Sequence, residues 1–427
     1  MTIVQKIDNG STSVVSASGV STSRRNPDIA ILIYDFRGSG VIRNALRIAE
    51  AARIDGLFVE FVVVRHEGPF ADTEIPVSVI GDSHDFGRAI DTFRATRRLH
   101  DYVDARKPRI LFSAGNHIHH IVGPALRRAI HRPIVIMRAS NDMEHYRTRG
   151  YGPLEQKLRS AVVRRIARFM FDAADHIVAV SPELADQVEG YLRSPVRQSP
   201  PVQSIFNGID NKAIRALARS PVNHPWFGTS DIPVIVGMGR FARQKNFTLL
   251  ISAFAKLLQR TPARLVLLGK GPELEALSRH ATALGCADYV DFPGYVSNPF
   301  PYLSAASLFV LSSTWEGCSN ALLEAMACGC PVVATRCPTG TIDILDHGRR
   351  GPLVDVDDYE ELAAAMRERL ESPRNSEQLR AWSETHDIQR TVAGYLDVFR
   401  SALAGAPGAD ISRPKFDQNR PPSQRAA

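Results

Sequence analysis

The sequence predicts an α/β protein made of two doubly wound, Rossmann-like domains in series. At 427 residues the chain is longer than one hydrophobic core ordinarily supports, and it divides naturally into two units of roughly 150–200 residues. Short apolar runs alternate with amphipathic stretches, the pattern of repeated βα units around a parallel sheet buried on both faces. The pattern occurs twice. Between the two occurrences lie the turn Asn207-Gly208-Ile209-Asp210 and a polar, proline-bearing stretch to Trp226, where the domain linker is expected.

Residues 1–26 are rich in Ser, Thr and Gly and are expected to be disordered. The first domain, 27–210, then predicts strands at Ile29 to Tyr34, Leu57 to Val64, Ile110 to Phe112, Ile134 to Met137 and His176 to Val180. Ser181-Pro182-Glu183 marks a helix start: a capping hydroxyl, a proline pre-set for the first turn and an acid near the positive end of the dipole. The second domain, 211–387, predicts strands at Val234 to Met238, Leu265 to Leu268, Tyr289 to Phe292, Leu308 to Leu311 and Val332 to Ala334. Its helices are expected at Asn246 to Leu258, Pro272 to Ala283, Asn320 to Ala327 and 358–371. A last helix covers 388–404, and the tail 405–427 is expected to be disordered. Two such domains leave a cleft between them, and ligands of doubly wound sheets sit beyond the carboxyl ends of the strands.

With 44% apolar and 23% charged residues, the composition is that of a globular protein. No apolar run reaches the ~18 residues of a membrane span and no signal-peptide core is present, so a cytoplasmic protein is expected. The five cysteines, Cys286, Cys318, Cys328, Cys330 and Cys337, have no CxxC spacing and read as buried free thiols, not as a disulfide or zinc framework. A net charge of +7 suits an anionic partner such as a nucleotide diphosphate or a lipid head group, without choosing among them.

Chemistry concentrates in the second half. The loop Gly237-Met238-Gly239-Arg240-Phe241-Ala242-Arg243-Gln244-Lys245-Asn246 follows a strand and opens a helix, so its glycines admit a ligand close to the backbone and the free N–H groups favour an anion. Arg240 can fork onto phosphate oxygens and Lys245 adds a point charge, together replacing a magnesium ion at a diphosphate. A tight turn with surface basic residues is the plainer alternative. Gly237, Gly239 and Ala242 also fit a dinucleotide fingerprint. That motif expects an acid at the end of the second strand, where Leu268-Gly269-Lys270-Gly271 places a lysine. Farther on, Glu316 and Glu324 bracket the start of a helix in Trp315-Glu316-Gly317-Cys318-Ser319-Asn320-Ala321-Leu322-Leu323-Glu324. The two carboxylates suit sugar hydroxyls, while Ser319, Asn320 and the free N–H groups suit phosphate.

Arg240 and Lys245, Glu316 with seven residues to Glu324, and then Ala325-Met326-Ala327-Cys328-Gly329-Cys330-Pro331-Val332-Val333-Ala334-Thr335 together resemble the retaining family 4 glycosyltransferases. The resemblance covers residues 205–370 and is strengthened by Leu267 to Pro272 and by Phe292-Pro293-Gly294-Tyr295-Val296, which fall at that family's nucleotide-binding loops. It implies a GT-B fold, a nucleotide-diphosphate sugar as co-substrate, UDP-linked, retention at the anomeric carbon, and no metal or other cofactor. By the same resemblance Arg240 and Lys245 hold the diphosphate, Glu324 the ribose and Glu316 the donor sugar, with Gly239, Tyr295, Ser319, Asn320 and Ala321 completing the donor site. Glu316 to Asn320 with Cys337 to Leu345 is similar to the branch acting on N-acetylhexosamines or galactose in lipid-linked or capsular glycans, with Asp343 where that branch commonly has Glu.

In the first half, Gly38-Ser39-Gly40-Val41-Ile42-Arg43 resembles a glycine-rich loop opening the first helix, so Gly38, Gly40 and Arg43 are candidates to meet donor phosphate or acceptor across the cleft. In Asn116-His117-Ile118-His119-His120 the expected catalytic histidine is His117, with a capping or core role as the alternative. The cluster lacks a carboxylate at ligand spacing, so metal is not expected there. Asp355-Val356-Asp357 resembles a metal-binding D-x-D, but it precedes a helix that Asp357 and Asp358 suit as caps. Between Arg147 and Arg168 seven basic residues face one acid, with Leu158, Val162, Ile166 and Phe169 at helical spacing. This fits either a peripheral contact with an anionic membrane or a helix packed on its own sheet.

The sequence therefore points to a retaining glycosyltransferase acting on a glycan or lipid-linked hydroxyl acceptor. Nucleic acid is not an expected partner. The alternatives are an NAD(P)-dependent oxidoreductase, or a nucleotide-sugar-binding subunit without transferase activity.

Overall fold

The computed structural model describes residues 25–37, 40–81, 88–144, 153–193, 199–228 and 231–405. Gly38, residues 147–152 of the basic stretch, and nearly all of both termini expected to be disordered lie outside the described residues.

Two all-parallel sheets form the framework. The first holds β1 (Ile29–Ile33), β2 (Val59–Val63), β3 (Val77–Val79), β4 (Ile110–Ser113), β5 (Ile134–Ala139), β6 (His176–Ala179) and β7 (Val202–Ser204), in the order β3-β2-β1-β4-β5-β6-β7. The second holds β8 (Val234–Met238), β9 (Arg264–Leu268), β10 (Val290–Gly294), β11 (Leu308–Leu311), β12 (Val332–Thr335) and β13 (Leu353–Val354), in the order β10-β9-β8-β11-β12-β13. Central strands such as β1 are buried along their whole length, which is why they read as continuous apolar runs. The strand order reverses between β1 and β4 and again between β8 and β11. Each reversal opens a crevice at the carboxyl edge of its sheet.

Three strands were not expected from sequence: β3, β7 and β13. All lie at sheet edges and are short, and Val77-Ser78-Val79 and Val202-Gln203-Ser204 carry too few apolar residues to register as buried runs. The expected polar linker is also corrected. Asn211–Leu217 is a helix, capped by Asp210 Oδ1, which accepts from the Ala213 N–H at 2.8 Å. It packs on the helices Phe300–Ala305 and Asn320–Ala327 of the second domain, and Trp226 and Phe227 lie against His224 nearby.

The chain passes between the domains twice, and the two crossings are joined. Ile209 N–H donates to His386 O at 3.0 Å and Ile388 N–H to Ile209 O at 2.9 Å, while Thr391 Oγ1 donates to Phe206 O at 2.8 Å. Gly208 is required there, since a Cβ on it would lie 2.5 Å from Ile388 Cα. The second crossing leads into the helix Ile388–Leu403, which returns to the first domain. Its Tyr395 and Phe399 rings meet Phe112 of β4 at 5.6 and 5.5 Å between centroids, and Arg400 pairs with Asp55.

Candidate active site

The loops that leave β8 and β11 meet at the switch point of the second sheet. Thr314 N–H donates to Gln244 O at 2.8 Å, Gln244 Nε2 to Trp315 O at 2.9 Å, and Ser312 Oγ to Lys245 O at 2.8 Å. Across this join Lys245 Nζ reaches Glu316 Oε1 at 2.5 Å, and Ser313 Oγ donates to the same oxygen at 2.7 Å. The side chains of Lys245 and Glu316 are 18% and 8% exposed, so each charge depends on the other for compensation. Thr339 Oγ1 donates to Glu316 O, fixing the backbone beneath the carboxylate.

The glycines of the β8 loop have a more structural role than close approach to a ligand. A Cβ on Gly237 would press on Leu267 Cδ2 at 2.8 Å, and one on Gly239 would meet the Lys245 stem at 3.0 Å. Gly239 thus leaves the channel through which Lys245 runs to Glu316. Arg240, one residue on, is exposed and makes no hydrogen bond or ion pair among the described residues.

Next to this pair stands the helix Asn320–Ala327. Its cap residue Ser319 makes no capping bond, and the Ser319 hydroxyl is buried without a partner. The first turn carries no acid, so its N–H groups and the Ser319 hydroxyl have the chemistry to receive an anion. Glu324, one turn into the helix, is buried and its carboxylate makes no hydrogen bond among the described residues. Burial raises its pKa above the usual carboxylate value, against the pull of Arg43, Arg47 and Lys245. Asn320 and Ala321 are half-buried at the same end. Tyr295 is exposed, with Lys270 Nζ 5.4 Å from its ring centroid.

The first domain faces this site. A Cβ on Gly40 would lie 3.1 Å from the side-chain Nδ2 of Asn320, and one on Gly317 would lie 2.2 Å from Ser140 O, so at Gly317 the two domains approach to backbone contact. Glu183, in the first turn of the helix Pro182–Leu192 capped by Ser181, accepts from the Gly340 N–H across the cleft at 3.2 Å. Arg43 is exposed on the first turn of the helix Gly40–Ile54. His117 is half-buried, edge-on to the Tyr34 ring at 6.4 Å between centroids, at the switch point of the first sheet. His119 is the core histidine: fully buried, in hydrogen bonds with Ser113 Oγ at 2.7 Å and Arg138 O at 3.2 Å, and pushed down to about 3 by burial.

All five cysteines are free and buried. Asp358 caps the helix Tyr359–Glu371, accepting from the N–H groups of Glu360 and Glu361. Among the described residues no group of three His, Cys, Asp or Glu stands together as a metal site, and no helix is long and apolar enough to cross a membrane. The stripe Leu158, Val162, Ile166, Phe169 is not the packed face of its helix. That face is Val163, Ala167, Met170 and Phe171, whereas Leu158, Val162 and Phe169 are exposed among arginines. Sequence reading missed Asn207, Arg138, Glu183 and Arg47. Arg138 alone left a signal, a single charge in the apolar strand Ile134–Ala139.

The raised Glu324 pKa fixes the sign of a pH effect. The folded state disfavours the ionised form, so stability present below the carboxylate range is lost as pH rises through it. Replacing Glu324 by Gln is expected to stabilise the protein at pH 7, while well below the carboxylate range the two proteins should melt alike. Thermal denaturation across this range checks it, and a destabilised Glu324→Gln protein at pH 7 would contradict it.

A family model described as "Glycosyl transferases group 1" matches residues 232–372, and one described as "Glycosyltransferase Family 4" matches residues 38–213. Two lipopolysaccharide core biosynthesis glycosyltransferases of Rhizobium meliloti are similar. LpsE is 35% identical over 46% of this chain and 54% of its own length, and LpsD is 32% identical over 53% of this chain and 64% of its own. The chain thus spans somewhat over half the length of these relatives. Among solved structures, Anabaena Alr3699/HepE in complex with UDP and glucose superposes with a TM-score of 0.69 at 20% identity, covering 88% of this chain and all of that one, which supports the fold. With a family model matching in each of two facing Rossmann-like domains, the chain belongs to the family 4, group 1 glycosyltransferases and has their GT-B fold.

Proposed function

We propose that the protein moves a sugar from a nucleotide diphosphate to a hydroxyl of a glycan or lipid-linked acceptor, with retention at the anomeric carbon and without a metal ion. The observation that carries this reading is the meeting, at one switch point, of Arg240, unpaired among the described residues, the buried Lys245–Glu316 pair and the uncapped start of the helix Asn320–Ala327. Cations and free N–H groups there suit a diphosphate, and carboxylates beside them suit hydroxyls. The HepE structure, which holds UDP and glucose on the same fold, supports a UDP-linked donor.

In this reading Arg240 and Lys245 receive the charge that develops on the departing diphosphate as the sugar takes on oxocarbenium character, and no other stabilisation open to such a site is as large. Lys245 is shared between Glu316 and phosphate, which holds the Glu316 carboxylate oriented to accept from sugar hydroxyls. Glu324 accepts from the ribose, and Tyr295 borders the nucleotide. Arg43 and the N-terminus of the helix Gly40–Ile54 face the diphosphate from the first domain. His117 lies on the acceptor side of the cleft. The oxidoreductase alternative lacks its ribose-binding acid: Lys270 stands after β9 and is engaged with Tyr295.

The exposed stripe Leu158, Val162 and Phe169 beside Lys157, Arg159, Arg164, Arg165 and Arg168 supports a peripheral contact with an anionic membrane, where a lipid-linked acceptor would reside. In this reading the protein works at the inner face of the membrane.

Arg240→Ala and Lys245→Ala are each expected to lower kcat with a UDP-sugar donor by about 10²- to 10³-fold, measured with the native acceptor. Undiminished transfer by either variant would remove the diphosphate assignment. Co-sedimentation with phosphatidylglycerol vesicles is expected for the wild type and should fall by about tenfold for Leu158→Glu combined with Val162→Glu. Equal binding by both proteins would exclude this face.

A further inference from the structure

Arg138, at the end of β5, is only 2% exposed, yet no carboxylate among the described residues pairs with it. Its Nη1 donates to Ala114 O at 3.3 Å, its Nη2 donates to Asn207 Oδ1 at 2.6 Å, and its Nε is buried without a partner. A buried cation is ordinarily neutralised by a carboxylate, and here an amide stands in that position.

That amide lies on the first crossing between the domains and touches both. Asn207 Oδ1 also accepts from Asn44 Nδ2 at 3.0 Å, on the helix Gly40–Ile54 of the first domain. Asn207 Nδ2 donates to Asn320 Oδ1 at 3.1 Å and approaches Cys318 O at 3.5 Å, at the start of the helix where the donor diphosphate is proposed. The orientation of the amide is fixed chemically, because a guanidinium only donates and so demands the oxygen of Asn207. Asn44 Oδ1 and Ser319 Oγ, on either side, are buried without partners. Orphaned groups on both flanks of one bridging amide are what a junction that exchanges partners would carry. Meanwhile the adjoining backbone, pinned from Ile209 to His386 and Ile388, provides a fixed pivot.

We propose that Asn207, anchored in the first domain by Arg138 and Asn44, is a positioning residue whose neutral amide holds Asn320 of the second domain more weakly than a carboxylate there would, letting the second domain move against the first as donor enters and nucleotide leaves. This rests on the donor assignment above. It adds that the strength of one contact, remote from the reacting atoms, sets the balance between donor capture and product release.

Two substitutions at this position should act in opposite directions. Asn207→Asp completes the ion pair with Arg138, still accepts from Asn44, and can accept from Asn320 once that amide turns over. It is expected to raise the melting temperature without nucleotide and to leave UDP affinity within about threefold of wild type. It should also lower kcat by about tenfold without raising the donor KM, because opening becomes slower. Asn207→Ala is expected to lower the melting temperature and raise the donor KM by about tenfold, with kcat within about threefold. A purely structural residue would not split kcat from KM in this way. Both variants moving melting temperature, KM and kcat in the same direction, or wild-type kcat in Asn207→Asp, would overturn the proposal. A wild-type protein that binds neither UDP nor GDP would instead overturn the donor assignment beneath it, and the two failures are therefore distinguishable.

Discussion

The contact between Lys245 and Glu316 organises the site. These residues leave two strands, β8 and β11, that lie side by side where the strand order reverses, and their charges meet in a largely water-excluded position. A buried ion pair adds little net stability, because desolvation offsets most of the attraction, but removing one partner leaves the other charge stranded. The pair therefore binds two loops into a single unit and keeps a cation and a carboxylate poised together. Arg240, the Ser319 hydroxyl and the first turn of Asn320–Ala327 are held around it by that join.

The second requirement is that two such crevices face each other. Both sheets are parallel, so both present the carboxyl ends of their strands, and the double crossing at Ile209 and Asp387 turns them toward one cleft. Where Gly317 lies against the Ser140 backbone, only a residue without a side chain allows the approach, and Gly40 lies close to the Asn320 side chain. The helix Ile388–Leu403 seals the arrangement by burying Tyr395 and Phe399 against β4.

Much of this was legible in the residues. Val234 to Met238, Leu308 to Leu311 and Asn320 to Ala327 were expected at the bounds the structure gives them, because buried parallel strands are apolar throughout and the helix follows a small-residue loop. The edge strands escaped notice because each is only two or three residues long, and the helix Asn211–Leu217 because it is short and carries only Ile214 and Leu217 as large apolar residues. Arg240, Lys245, Glu316 and Glu324 stood out from spacing and resemblance as candidates. The pairing of Lys245 with Glu316 was not legible, since it closes 71 residues of chain. Nor could periodicity tell that Leu158, Val162 and Phe169 face outward, because Val163, Ala167 and Met170 repeat with a similar spacing and take the buried side. His117 and His119 are distinguished only by which one the turn after β4 carries inward.

A crystal structure with UDP bound tests the central claim most directly. The distal phosphate is expected within hydrogen-bonding distance of Arg240 and of the first N–H groups of Asn320–Ala327, with Lys245 between that phosphate and Glu316 and no metal ion bridging them. A nucleotide seated instead at the carboxyl edge of the first sheet, or a diphosphate held through a metal ion, would contradict it.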